Sequence, residues 1–242
     1  MAEKTVIITE PTTENSVVTD ARGFWEKYSR PIIYVGGIII IAILGWMAYK
    51  NFIVKPKEAK ANDAIFPAEG LFDKMAVTGF NKDSVNIALN GGNLGGTNIT
   101  GLLKVMSTYS GTEAANRAAY MTGASYLHIK EFDKAIKYLK QFDGNGANQV
   151  QGKANLMIGH AYAEQKKTDD ALSYYKKAAS ADSKDEAFAS DALLVAASYA
   201  EFTGKTKEAI DLYKEVKAKY PSSNAVQNGD IDKYLAKLGV LD

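Results

Sequence analysis

Three copies of one residue pattern run through the second half of this chain. Gly123, Tyr126, Ala135 and Leu139 make the first copy. Gly159, Tyr162, Ala171, Tyr175 and Ala178 make the second. Ala196, Tyr199, Ala209, Tyr213, Val216 and a closing Pro221 make the third. Gly123 and Gly159 stand 36 residues apart, as do Tyr126 and Tyr162, and Ala135 and Ala171. Tyr162 and Tyr199 stand 37 apart, and Ala171 and Ala209 stand 38 apart. A period of this size means stacked helical units, none of which can bury its apolar face alone. Spacings of three and four put the pattern residues on one helical stripe. The small residues let helices approach, and the aromatics fill the gaps between units.

Short polar turns separate the helices of each copy: Lys130-Glu131, Gln165 to Thr168 and Thr203 to Thr206; Tyr199 and Ala209 stand 10 apart against 9 for Tyr162 and Ala171, so the third copy is expected to gain one residue inside its turn. Thr168-Asp169-Asp170 reads as an N-cap with an acidic first turn. Tyr109 to Thr112 resembles Tyr220 to Ser223, and each is expected to close a helix and offer a capping hydroxyl to the next.

The N-terminal part is different. Residues 1–22 have no period and read as a disordered tail. Residues 23–55 hold an apolar run from Pro31 to Tyr49, extended by Phe52-Ile53-Val54. An uncharged stretch this long can span a bilayer of about 30 Å at about 1.5 Å per residue. Trp25, Tyr28, Trp46 and Tyr49 lie near its ends, where aromatic belts sit. A cleaved signal peptide would start nearer the terminus and end in small residues, so an uncleaved transmembrane helix is expected. Arg22, Lys27 and Arg30 precede it and Lys50, Lys55, Lys57 and Lys60 follow, so the positive-inside count does not set the orientation.

Residues 56–110 read as a degenerate first repeat. A helix over 59–75, weakened by Pro67 and Gly70, pairs with a short helix over 83–89. A Gly-rich loop over 90–97 then leads to a helix over 99–109. Residues 111–242 hold the repeats and a terminal capping helix over 229–238, with Ile231, Tyr234, Leu235 and Leu238 on one stripe.

Chemistry finds little support. The net charge of +1 argues against nucleic acid as a partner. There is no Cys, hence no disulfide scaffold or thiolate metal site. The glycines at 91, 92, 95 and 96 lack the ending of a phosphate-binding loop. His128 and His160 are the only histidines and have no matching carboxylates, so no metal or cofactor is expected. No nucleophile, base and orienting group come together, so the chain is not expected to be an enzyme and no small-molecule substrate is assigned.

The three copies resemble the tetratricopeptide repeat. The resemblance implies an all-α solenoid of about three to four helix pairs, here anchored by one N-terminal transmembrane helix. In such stacks the inner face of the first helix of each pair lines a concave groove. Carried onto this chain, that face is Arg117, Tyr120, Met121, Ala124 and Leu127, then Lys153, Leu156, Met157 and His160, then Leu193 and Ala197. Relatives that clamp a carboxylate use Asn where this chain has Ala124, His160 and Ala197, so that clamp is absent. An apolar, Met-containing groove for an extended or helical segment is expected. The alternative is that Met121, Met157 and Leu193 are buried against the next helix.

A short tail, one span and C-terminal repeats together resemble the YfgM-like proteins of bacteria, in the form found in Bacteroidetes. The resemblance is carried by Phe24 to Lys27, the span, Ile65 to Ala68, Tyr109 to Asn116, Ala171 to Ala178 and Asp230 to Tyr234. It implies an ancillary subunit of the Sec translocon in the inner membrane, with the repeats in the periplasm. The implied partners are translocon subunits, translocating chains or chaperones, and the lipid bilayer through residues 31–54. A scaffold for cell-envelope or outer-membrane protein assembly is the other function that this architecture would serve.

The span carries a direct expectation. The chain should stay in the membrane pellet through alkaline carbonate extraction, and replacing Ile38 to Ile41 by serines should release it.

Overall fold

Helix α1 (Glu14–Tyr49) contains the apolar run. The computed structural model describes residues 14–240, so the tail expectation for residues 1–13 lies outside the described residues. Residues 14–22, also expected as tail, are helical. No residue in the most apolar stretch of this helix is buried, and Ile38 and Ile41 are 67% and 71% exposed. The helix is long and apolar enough to cross a membrane.

A π-helical turn follows at Lys50–Val54, closed by the Lys55 N–H donating to the Lys50 carbonyl five residues back. It stands directly before Pro56, which has no N–H and whose ring crowds the carbonyl four residues earlier. The disturbance expected from Pro56 is taken up in this wider turn. The chain then divides into two units, Met1–Pro56 and Lys57–Asp242.

The second unit opens with α2 (Lys55–Thr78), which runs through Pro67. α3 (Lys82–Asn90), capped by the Asn81 side chain, follows. The expected flexible loop at 90–97 is instead a hairpin of β1 (Gly92–Leu94) and β2 (Thr97–Ile99), antiparallel with Asn93 opposite Asn98. Gly95 and Gly96 form its two-residue turn, with φ of 58° and 84°, values that favour glycine. Periodicity missed it because three-residue strands carry almost no pattern. α4 (Leu102–Thr108) comes next.

Three helix pairs then stack: α5 (Glu113–His128) with α6 (Phe132–Leu139), α7 (Asn148–Glu164) with α8 (Thr168–Ala181), and α9 (Glu186–Phe202) with α10 (Thr206–Lys219). A short α11 (Asn224–Gln227) leads to α12 (Asp230–Lys237), which lies on α10 and buries Ile231 and Leu235.

Each pair closes on a small residue. A Cβ on Gly123 would stand 2.5 Å from Leu139, and one on Gly159 would stand 2.5 Å from the Tyr175 ring. Ala135, Ala171 and Ala209 on the second helices are all completely buried. Ala178, Ala192, Ala196 and Ala200 continue this Ala-rich core beside Tyr175 and Tyr213.

α4 packs on α5 as α6 packs on α7 and α8 on α9. The second layer beneath the first full repeat is therefore α4, the helix expected over 99–109. α3 adds Val85, Ala88 and Leu89 to the same core. α2 runs parallel to α5. Its Glu58 carboxylate accepts from the backbone N–H groups of Glu113 and Ala114, at 2.9 and 3.1 Å. Thr112 accepts from Ala115, as expected of a capping hydroxyl. Donors that the first turn of α5 could not otherwise satisfy are thus met. Ser223, its expected counterpart, caps nothing; its hydroxyl is buried without a partner among the described residues. Thr168 is the first helical residue of α8 rather than its cap.

Burial holds α2 more firmly than charge does. Ile65, Leu71 and Met75 are buried, at roughly 1.5–3 kcal/mol each. The Arg117–Glu69 pair, at 2.8 Å, is partly exposed and contributes about 0–1 kcal/mol.

Gly159→Ala should cost about 1–3 kcal/mol, because the methyl meets a packed ring. Gly70→Ala, with open space around it, should stabilise α2 by about 0.5–1 kcal/mol. Urea unfolding of the detergent-solubilised chain, followed by circular dichroism at 222 nm (about one transition per cooperative unit), checks both.

Candidate partner-binding groove

The turns inside each pair set the register of the groove. Lys130, Lys166 and Gly204 take the left-handed conformation, with φ of 64°, 59° and 75°. The following N–H groups, of Glu131, Lys167 and Lys205, donate back to the carbonyls of Tyr126, Tyr162 and Ala200 at 2.9, 2.9 and 2.8 Å. Each helix therefore ends in the same Schellman turn. Equivalent residues are Tyr126, Tyr162 and Ala200, and seven residues before each turn stand Gly123, Gly159 and Ala197. The third turn has no extra residue. The extra residues of the third copy lie earlier, between Ala171 and Ala197.

Two side-chain contacts agree with this register. His160, one residue after Gly159, has Nδ1 3.0 Å from the Tyr175 hydroxyl. Ser198, one after Ala197, has its hydroxyl 3.4 Å from that of Tyr213. The third copy therefore uses Ala197 and Ala200 where the sequence pattern suggested Ala196 and Tyr199. Tyr199 turns instead to the preceding pair, its ring 5.7 Å from that of Tyr175.

Two of the expected groove residues are thereby corrected. Leu193 and Ala197 are 3% and 0% exposed and belong to the core. The third repeat presents Asp191, Ser198 and Phe202 instead, with Phe202 85% exposed. Leu194 and Glu201 are half-buried beside them. Glu201 accepts from the Tyr213 hydroxyl at 3.2 Å and pairs with Lys237 of the capping helix at 2.5 Å. These bonds hold its carboxyl below its usual range, with Lys237 the larger cause.

In the first repeat, Met121 and Ala124 are also buried, so they serve packing rather than a ligand. Arg117 is tied down: Nε donates to Glu69 at 2.8 Å and a terminal nitrogen donates to Asn62 at 2.9 Å. Tyr120 is half-buried against Phe142, at 5.2 Å between ring centres, and Leu127 is half-buried. A cavity of about 340 Å³ opens between Glu69, Phe72, Arg117, Tyr120, Phe142 and Val150. His128 stacks face to face on Phe80 at 3.8 Å, and the loss of water lowers its pKa.

The second repeat is more open. Lys153 and His160 are exposed, and Leu156 and Met157 are half-buried. Burial pushes the Tyr175 hydroxyl up, so it stays a neutral hydrogen-bond partner for His160. The expected apolar, Met-lined groove is thus a mixed surface: Lys153, His160, Asp191 and Ser198 with one exposed ring, Phe202. Among the described residues, no group of three His, Cys, Asp or Glu could hold a metal ion.

Family profiles of the tetratricopeptide repeat match residues 117–143 and 156–224. The chain carries tetratricopeptide repeats. The first match spans most of α5 and α6, and the second runs from α7 to the start of α11. No curated protein matches the chain. Repeats of this kind are protein-interaction modules.

The register makes a sharp distinction between neighbours. Ala197→Asp should unfold the third repeat, at a cost above about 3 kcal/mol for an unpaired buried charge. Ser198→Ala, on the exposed side, should change stability by less than about 0.5 kcal/mol. Urea unfolding of the two variants checks this.

Proposed function

We propose that this chain is a membrane-anchored adaptor, ancillary to the Sec translocon, that binds translocating chains or periplasmic chaperones through the concave face of its second and third repeats. The single observation that carries the adaptor reading is the pairing of a fully exposed apolar helix with a tetratricopeptide stack whose groove side is only partly closed. The translocon assignment rests on the resemblance to YfgM-like proteins, as do the inner-membrane location and the periplasmic side for the repeats.

The physical logic favours tethering. A short stack offers a small groove, and small grooves bind weakly. An anchor holds the groove at high effective concentration near membrane-embedded partners, so weak contacts suffice. Phe202 supplies the aromatic anchor that a shallow interface needs, and the polar groups around it suit a partner that must also leave.

Affinity purification from native membranes in mild detergent tests the reading. Sec channel subunits should be recovered in stoichiometric amount. Recovery of outer-membrane assembly factors in their place would overturn the translocon assignment. The variant Lys153→Glu/Phe202→Asp should lower recovery by on the order of tenfold with helicity unchanged, since both positions are exposed on the first helices of their repeats.

A further inference from the structure

Four tyrosines and five lysines cover one edge of the first two repeats, away from the groove positions. Tyr126 of α5 stacks on Tyr138 of α6, with ring centres 5.6 Å apart and planes 13° from parallel. Tyr162 of α7 meets Tyr174 of α8 at 5.5 Å. Lysines lie over these pairs. Lys134 is 5.3 Å from the Tyr126 ring and Lys137 is 5.3 Å from the Tyr138 ring. Lys140 sits 5.3 Å from both Tyr162 and Tyr174 and donates to the Tyr162 hydroxyl at 2.9 Å. Lys167 and Lys177 lie 5.7 and 4.4 Å from Tyr162 and Tyr174. Lys140, at the C-terminal cap of α6, thereby joins the first pair's helix to the second pair's rings.

Most of the charges on this edge make no ion pair among the described residues. Lys134 pairs with Glu131 at 3.3 Å. Among the described residues, Lys137, Lys140, Lys167 and Lys177 make no ion pair, whereas Lys205, Lys219, Lys233 and Lys237 farther along the stack all do. Stacking does not require the arrangement either. The third-repeat equivalents of Tyr162 and Tyr174 are Ala200 and Leu212, both buried, and the stack continues through them.

A lysine resting on an aromatic face has part of its freedom already removed, yet its ammonium still offers donors to an incoming acceptor. Several such ammoniums on one edge match a row of carboxylates. We propose that this edge is a second binding surface, which docks an acidic, Asp- and Glu-rich segment of a partner protein. Single-stranded nucleic acid fits less well. Its bases need open aromatic faces, and here the rings cover each other or carry a lysine. The chain as a whole is also near neutral. The inference stands apart from the groove and from the translocon assignment.

The test uses the full chain in nanodiscs of zwitterionic lipid, with a fluorescent oligo-glutamate peptide read by anisotropy. Binding should be saturable and should weaken with salt. Lys137→Glu/Lys177→Glu should weaken it by on the order of tenfold, as loss of matched charge does. Both side chains are exposed and make no hydrogen bond among the described residues, so helicity should not change. Lys207→Glu/Lys214→Glu, which reverses two lysines off this edge that make no ion pair among the described residues, should change it less than about twofold. Absence of peptide binding, an equal loss in the control variant, or tighter binding of single-stranded DNA of the same charge would each overturn the proposal.

Discussion

Everything in the repeat domain depends on how closely two helices of a pair can approach. At Gly123 and Gly159 there is no room for a β-carbon, because Leu139 and the Tyr175 ring already stand there. Ala135, Ala171 and Ala209 keep the facing helix equally slim. The left-handed turns at Lys130, Lys166 and Gly204 then fix where the second helix begins relative to that contact. The distance from small residue to turn is the same in all three pairs. This rigid unit lets the three pairs tolerate different linkers between them and still stack.

Because the pairs are built alike, what differs between them is informative. The first pair is occupied from within the chain: Glu58 of α2 caps the first turn of α5, and Phe80, just after α2, stacks on His128 at its end. The tie is mostly apolar burial, strengthened by donors that find an acceptor. The second and third pairs keep more of their inner side chains exposed. The capping helix α12 closes the far end through Ile231 and Leu235, and Lys237 reaches back to Glu201. On the groove side, exposed side chains are therefore found mainly on the second and third pairs, while that side of the first pair is covered by α2.

Much of this was legible from residue type and spacing. Gly123, Tyr126 and Ala135 against Gly159, Tyr162 and Ala171 are enough for a helical repeat, and the isoleucine run is enough for a span-length helix. The third copy was misread because Ala196-Ala197 offers two small residues in succession and Tyr199 imitates the expected aromatic. The usable signal was Gly204, whose distance to the small residue repeats that of Lys130 and Lys166. The groove followed the same error: shifting the register by one residue moves Leu193 and Ala197 from a binding face into the core. Met121 and Ala124 were misplaced for another reason. The burial of Met121 comes partly from α2, α3 and α4, whose positions against α5 no local pattern encodes.

The sequence alone determined the helical class, the number of full pairs, the polar turns and the presence of one apolar segment long enough for a bilayer. These properties reside in periodicity and in side-chain size, which are local. Only the tertiary structure decided which face of α9 looks outward, that α4 and not α3 underlies the first full repeat, and that Lys140 of one repeat rests on tyrosines of the next. Those outcomes depend on contacts between residues tens of positions apart, where a one-residue rotation of a helix exchanges core for surface.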